Sequence, residues 1–134
     1  MPAYETFETA AKVLEDVTKS VYNDPKAGPK VEKLNLVLKI NLNNPKGVLW
    51  LDTGNQTAST QDEYEKPADV EFSADGDDLH KIYSKQLNIN KALTTKMIKV
   101  KGPILRMMKL LPLLTRSFDN YPAIAEKHGV KVDP

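Results

Sequence analysis

The chain has 134 residues, which is enough for one hydrophobic core but too short for two, so a single domain over residues 1–134 is predicted. Its 19 basic and 18 acidic residues give a formal net charge of +1, which excludes a global field that would favour nucleic acid as a partner. Hydrophobic residues make up 40% of the chain and cysteine is absent, which excludes disulfides and thiolate chemistry and indicates a soluble, cytoplasmic protein.

An amphipathic helix is predicted near the N-terminus, over residues 3–22. Apolar side chains recur there at spacings of three and four, so they share one face of a helix. The same stretch lacks a basic segment followed by an apolar one, so no signal peptide is expected. Pro25, Gly28 and Pro29 are expected to end the helix. The apolar stripe consists of Phe7, Ala10, Leu14, Val17 and Val21.

A strand with one buried face is predicted over residues 34–42, where every second residue is a leucine or isoleucine. The polar residues 43–47 have the composition of a tight connection. A second apolar run follows at residues 48–52, so the two strands are predicted to form an antiparallel hairpin.

The remaining elements are two short strands, two helices, a last strand and C-terminal helices, so the strands cluster in hairpins and do not alternate strictly with helices. Asp75, Asp77 and Asp78 supply a cap and first-turn acids for a helix, and Asn88 or Asn90 can cap a second, shorter one. Further strands are predicted at residues 57–60, 70–72 and 98–100. The order predicts an α+β fold with a mixed, about five-stranded sheet covered by helices.

The stretch from Ala68 to Leu111 resembles the central run of the sterol carrier protein type-2 family, and the resemblance covers residues 34–111 in matching order. The chain departs from the family pattern at Ile89, Lys96 and Pro103, which leaves the specificity for a ligand open. The matched positions are Ala68, Asp69, Lys85, Leu87, Asn88, Ala92, Lys99, Lys101, Gly102, Met108, Lys109 and Leu110.

This resemblance implies a shell of sheet and helices around an apolar tunnel that lies between the sheet and the C-terminal helices. Residues 112–134 would then form a C-terminal helical extension. The tunnel of such a domain takes fatty acids, fatty acyl-CoA esters, sterols or phospholipids. The resemblance implies none of these lipids in particular.

No catalytic residue, metal site or cofactor is predicted. His80 and His128 lie far apart in the sequence and lack the spacing of a metal site. The acidic run at residues 75–78 lacks the remaining ligands of a calcium loop, so a helix cap is favoured. Neither a serine-nucleophile motif nor a glycine-rich phosphate loop occurs.

The most informative segment is the helix predicted after Pro103, because eight of the residues from Ile104 to Leu114 are leucine, isoleucine or methionine. Such a helix must contact apolar groups on both flanks, either as a core helix or as a helix with one flank on the sheet and one on a lipid. Pro112 is expected to bend or end it. The same two interpretations apply to Trp50. The predicted lipid-binding residues are Trp50, Ile98, Leu105, Met108, Leu111, Leu114 and Phe118.

Two basic residues precede this apolar run and two lie within it, and the four either contact anionic membrane headgroups or form an ordinary solvated surface. These residues are Lys99, Lys101, Arg106 and Lys109. The predicted function is a non-catalytic intracellular lipid carrier that contacts membranes transiently. The alternative is an interaction module whose apolar helix docks on a lipid-metabolising enzyme or on a second copy in a homodimer.

Overall fold

The computed structural model describes residues 2–132, and the elements in that range follow the predicted order except for one additional helix after the first. Helix α1 is followed by a second helix and a strand hairpin, and the C-terminal part is mainly helical. The elements are α1 Phe7–Tyr22, α2 Ala27–Leu34, β1 Val37–Asn43, β2 Gly47–Asp52, β3 Thr57–Ser59, β4 Val70–Asp75, α3 Gly76–Tyr83, α4 Ile89–Thr94, β5 Lys99–Lys101, α5 Ile104–Leu114, a 3-10 turn Thr115–Ser117 and α6 Tyr121–Lys127.

The strands form one five-stranded mixed sheet in the order β3-β2-β1-β4-β5. Strands β1 and β4 pair in parallel, while the other three pairs are antiparallel. The predicted α+β fold and the predicted hairpin of β1 and β2 are therefore confirmed. The short strands β3 and β5 form the two edges.

The register gives the sheet one apolar face and one polar face. Leu38 lies opposite Leu51 of β2 and Val70 of β4, whereas the neighbouring Lys39 lies opposite Trp50 and Glu71. Because side chains alternate along a strand, the first set shares one face and the second set the other. The helices cover the apolar face, where Leu42 and Leu49 pack in one cluster with residues of α1 and α6.

Helix α1 begins later than predicted, at Phe7, because Thr6 caps it by accepting a hydrogen bond from the Thr9 backbone N–H at 3.1 Å. Helix α2 is absent from the sequence prediction, which treated Gly28 and Pro29 as breakers. Both residues lie in its first turn, where backbone N–H groups have no partner within the helix and proline is tolerated. Leu34 consequently belongs to α2 and not to the first strand.

Gly28 allows α1 and α2 to approach closely. A Cβ atom at this position would lie 2.2 Å from the Tyr22 carbonyl oxygen, which is backbone and cannot move aside. The Asp24 carboxylate accepts hydrogen bonds from the backbone N–H groups of Lys26 and Ala27 at 2.8 and 2.9 Å and so stabilises the entry into α2. The two helices therefore meet at a sharp turn.

A helix cap and a glycine turn position the elements of the C-terminal half. Asn88 caps α4 by accepting hydrogen bonds from the backbone N–H groups of Asn90 and Lys91, which confirms one of the two predicted caps. Gly102 has a φ of 129° between β5 and α5, a conformation that favours glycine. The chain therefore turns directly from the edge strand into α5.

Pro112 does not end α5, which continues to Leu114 and then passes into the 3-10 turn. Within the predicted C-terminal extension, α6 is followed by residues 128–132 without helix, and Asp133 and Pro134 lie outside the described residues. Over residues 2–132, no helix combines the length and the apolar character that a membrane span requires.

Candidate functional site

An apolar groove opens where α4, β5 and α5 meet. Its volume is about 580 Å³, which falls within the range of roughly 300–1,000 Å³ common for ligand sites. Its floor is buried, since Ile98 is 5% and Met107 2% exposed. The apolar lining residues are Leu93, Ile98, Val100, Ile104, Met107 and Met108.

Helix α5 has apolar side chains on two sides, one buried and one exposed. Met107, Leu110 and Leu111 face the interior and are at most 8% exposed, whereas Ile104 is 61% and Met108 47% exposed. A helix at a protein surface ordinarily presents polar side chains outward. The exposed apolar side of α5 is therefore a feature that packing within the chain does not explain.

The rim of the groove is polar and basic. Asn90 and Thr94 come from α4, Lys96 from the following loop, and Lys99 from β5. Among the described residues that line the groove, none is acidic and none is a histidine. The groove thus combines an apolar interior with hydrogen-bond donors and positive charge at its edge.

Half-buried side chains continue from the groove towards the centre of the sheet. Val100 and Phe72 pack against two different apolar clusters, one with α2 and α5 and one with α3 and α4. Ile40 and Phe72 are also only half-buried, although the helices cover their face of the sheet. The core is therefore divided into clusters that meet at incompletely packed residues next to the groove.

Six of the seven predicted lipid-binding residues fall into three groups. Ile98 and Met108 line the groove. Leu111 is buried in the core, and Leu114 and Phe118 are half-buried against the cluster that includes α1. Leu105 lies outside the groove lining and is 82% exposed. Sequence reasoning did not assign Leu93 and Val100 to a site, because only the tertiary packing of α4 and β5 on α5 brings them there.

Trp50 lies on the polar face of the sheet, on the opposite side from the helices. Its ring stacks on Tyr64 at 5.5 Å between centroids, and its indole N–H donates to the Gln61 carbonyl oxygen at 2.8 Å. The Lys39 ammonium lies 5.4 Å from the ring centroid. Trp50 is therefore buried under the loop between β3 and β4 and does not line a space between the sheet and the helices.

The four predicted basic residues do not form one face. The Arg106 guanidinium donates to the Leu34 carbonyl oxygen at 2.8 Å, so it lies on the α2 side of α5. Lys101 pairs in register with Glu71 on the polar face of the sheet, and Lys99 extends to the groove rim. Lys109 is exposed on α5.

Asp52 holds the loop that covers Trp50. Its carboxylate, 1% exposed, accepts hydrogen bonds from the Tyr64 hydroxyl at 2.9 Å, the Lys66 ammonium at 3.1 Å and the Asn55 side-chain amide at 2.9 Å. Burial opposes ionisation of this carboxyl, but the donated hydrogen bonds outweigh it and lower the pKa of Asp52.

We expect Asp52→Asn to destabilise the fold by about 1.5–3 kcal/mol at pH 7, since hydrogen bonds to a charged group are lost. Because the pKa of Asp52 is lower in the folded state, its contribution is present above the unfolded value of about 4 and lost as the pH falls further. Urea unfolding at several pH values measures this difference. Asp62→Asn, an exposed position in the same loop, is the control and should have little effect. Equal effects of both variants at pH 7 would contradict this role of Asp52.

A buried polar network is formed by side chains that do not line the groove. The Tyr121 hydroxyl is hydrogen-bonded to the Tyr4 hydroxyl and, at 2.7 Å, to His80 Nδ1. Burial raises the pKa of Tyr121 to about 12 and also raises the pKa of Tyr4, so both hydroxyls remain protonated at neutral pH. The network joins the N-terminal segment, α3 and α6.

A second cavity, of about 650 Å³, adjoins this network. Its lining mixes the apolar Pro2, Ala3 and Val130 with charged side chains such as Glu5, Asp77, Lys81 and Lys131, so it suits an aliphatic ligand less well than the groove. His128 is bound to Asp16 at 2.6 Å. Across residues 2–132, no three histidine, aspartate or glutamate side chains are placed to hold a metal ion.

These features define a small α+β domain with a five-stranded mixed sheet, helices on one face and an apolar groove beside the edge strand. The model of the SCP-2 sterol transfer family matches residues 14–115. The chain belongs to this family, which confirms the resemblance seen in the sequence. No curated protein matches the chain.

Solved structures share the fold at low sequence identity. The sterol carrier protein domain 2 of Helicoverpa armigera superposes with a TM-score of 0.68 at 20% identity, covering 83% of this chain and 89% of that one. Apo sterol carrier protein 2 of Yarrowia lipolytica gives 0.64 at 19%, covering 84% and 94%. Sterol carrier protein 2 of Aedes aegypti, in complex with the C16 fatty acid palmitate, gives 0.61 at 16%, covering 79% and 94%.

Proposed function

We propose that this chain is a non-catalytic cytoplasmic lipid carrier that holds an aliphatic chain in the groove between α4, β5 and α5. The observation that carries the proposal is the apolar lining of this groove together with the exposure of Ile104 and Met108 at its mouth. A lipid would cover these side chains. Methionines at the wall suit a site that accepts varied apolar shapes.

The interior part of the site is a tunnel between the sheet and the helices. Its proposed course runs from the groove past Val100 to Phe72 and Phe118, which are half-buried residues that each pack against two of the core clusters. A lipid carboxylate or phosphate would remain at the rim near Lys96 and Lys99. This arrangement suits fatty acids best, and the palmitate complex of the Aedes aegypti protein supports it. Acyl-CoA esters, sterols and phospholipids share the required apolar chemistry.

Apolar burial supplies the affinity of such a carrier. A sixteen-carbon chain buried at about 0.8 kcal/mol per methylene gains roughly 12 kcal/mol before costs. Association and ordering offset several kcal/mol of this gain, which leaves micromolar or somewhat tighter binding. Catalysis is not part of the proposal, because the described residues lining the groove include no nucleophile with an adjacent base.

Native mass spectrometry of freshly purified protein and displacement of a bound apolar dye test this function. We expect a retained lipid mass, and displacement by fatty acids of about twelve to eighteen carbons at micromolar concentration. Shorter acids should compete progressively less well, because each methylene adds affinity. Absence of a retained lipid, together with no displacement at high micromolar concentration, would contradict the carrier function and favour the interaction module.

A further inference from the structure

The wall of the groove carries sulfur at two neighbouring positions of α5 that differ in their access to solvent. Met107 is 2% exposed, whereas Met108 is 47% exposed, and both line the groove. Met97, in the loop before β5, is 39% exposed but does not line the groove. A reagent in solution can therefore reach Met108 and Met97 directly, while the packing of α5 shields Met107.

Methionine is the only type of sulfur-containing residue in the chain, because the sequence has four methionines and no cysteine. Cysteine thiolates are the usual sites of attack by peroxides. In their absence, an oxidant that attacks sulfur must react with a methionine. Met1 lies outside the described residues, so Met97 and Met108 are the exposed methionines of residues 2–132.

We propose that Met108 is a site of reversible oxidation by peroxides and that its sulfoxide weakens the hold of the groove on a lipid. The thioether sulfur attacks one oxygen of the peroxide, and an S–O bond forms as the O–O bond breaks. The other oxygen takes up the proton of the attacked one and leaves as water or an alcohol. Sulfur loses two electrons and the peroxide gains them, so no further reactant is needed. This inference rests on the proposed carrier function, because the groove must hold an aliphatic chain.

Oxidation changes Met108 from an apolar side chain into a polar one that accepts hydrogen bonds strongly. In the empty groove the new oxygen is hydrated, because Met108 is half exposed, so the fold is not disturbed. The side chains of the wall residues Ile104 and Met107 have no hydrogen-bond donor for it. A lipid chain over Met108 would displace the water from this oxygen, which should lower the lipid affinity by roughly tenfold. A bound lipid should in turn slow the oxidation, because it covers the sulfur.

Treatment with hydrogen peroxide tests the proposal. Peptide mapping by mass spectrometry identifies the oxidised methionines, and displacement of an apolar dye by palmitate gives the affinity once the peroxide is removed. We expect Met108 and Met97 to be oxidised faster than Met107, and the affinity to fall by roughly tenfold. Methionine sulfoxide reductases of both stereospecificities should restore it. Palmitate added before the peroxide should protect Met108 but not Met97, which lies outside the groove lining.

Met108→Leu and Met97→Leu separate the two exposed sites, since leucine replaces methionine with little change in volume. Each variant is compared with itself before treatment. The affinity of Met108→Leu should not respond to peroxide, whereas that of Met97→Leu should fall by roughly tenfold, as in the wild type. An equal fall in Met108→Leu would overturn the inference, as would a fully oxidised Met108 that leaves the affinity unchanged. Untreated protein that does not bind palmitate would refute the carrier function and this inference with it, whereas the other two outcomes leave the carrier function intact.

Discussion

Replacing Met108 with lysine is expected to weaken binding of a long-chain alcohol by roughly tenfold or more, while the fold remains stable. Met108 lines the groove and is 47% exposed, so an ammonium at the end of a lysine can remain in water. An aliphatic chain lying over this position would remove that water without supplying a partner for the charge. The alcohol is preferred to a fatty acid because its headgroup would not be attracted to the new ammonium.

Leu105→Lys is the matched control, since it places the same charge on the same helix. Leu105 is 82% exposed and does not line the groove, so neither the melting temperature nor the alcohol affinity should change appreciably. Dye displacement and thermal melts on both variants measure the two quantities. Equal affinities of both variants and the wild type would remove Met108 from the site. A large loss of stability in Met108→Lys would show that this position is part of the core.

Strand positions were the most predictable part of the fold. The alternation in β1 and the polar connection after it are local signals, and they predicted the hairpin that the structure contains. The sequence was misleading just before β1, where Leu34 continued the period of two but belongs to α2. Gly28 and Pro29 suggested a break because the close contact of α2 with the end of α1, which requires this glycine, is not visible in a local pattern.

The groove was predictable only in part. An excess of apolar residues in α5 indicated a helix with more than one apolar partner, and Met108 does line the groove. Which side of α5 faces inward depends on how the helix packs on the rest of the chain. This packing buries Met107 and leaves Leu105 exposed. Trp50 illustrates the same limit: its strand was predicted, but the face that it occupies follows from the register of β1 against β2.

The buried network of Tyr4, His80 and Tyr121 carried no signal in the sequence. Tyr4 and Tyr121 are 117 positions apart, and both lie outside the strongly periodic segments. The sequence indicated no metal or catalytic role for His80, and the structure places it 9% exposed beside both tyrosine rings. Contacts of this kind depend on how the two ends of the chain meet, which no local pattern specifies.

Tyr121→Phe is expected to destabilise the fold by about 2–4 kcal/mol, since it removes one hydroxyl that serves two buried groups. Tyr4 is 1% and Tyr121 0% exposed, so water cannot replace the lost hydrogen bond at the Tyr4 hydroxyl. His80 Nδ1 loses the same partner. Guanidinium unfolding should show a lower midpoint with an unchanged slope. At about 4 °C per kcal/mol, the melting temperature should fall by roughly 10 °C.

Tyr83→Phe is the control for this change, because it removes the same atom from a ring that stacks on Tyr121 at 5.2 Å between centroids. Over residues 2–132, no hydrogen bond involves the Tyr83 hydroxyl, so its loss should cost well under about 1 kcal/mol. Affinity for an aliphatic ligand should be unchanged in both variants, since neither residue lines the groove. If the two variants were equally stable, the stabilisation by Tyr121 would come from ring packing, and the hydrogen bonds to Tyr4 and His80 would contribute little.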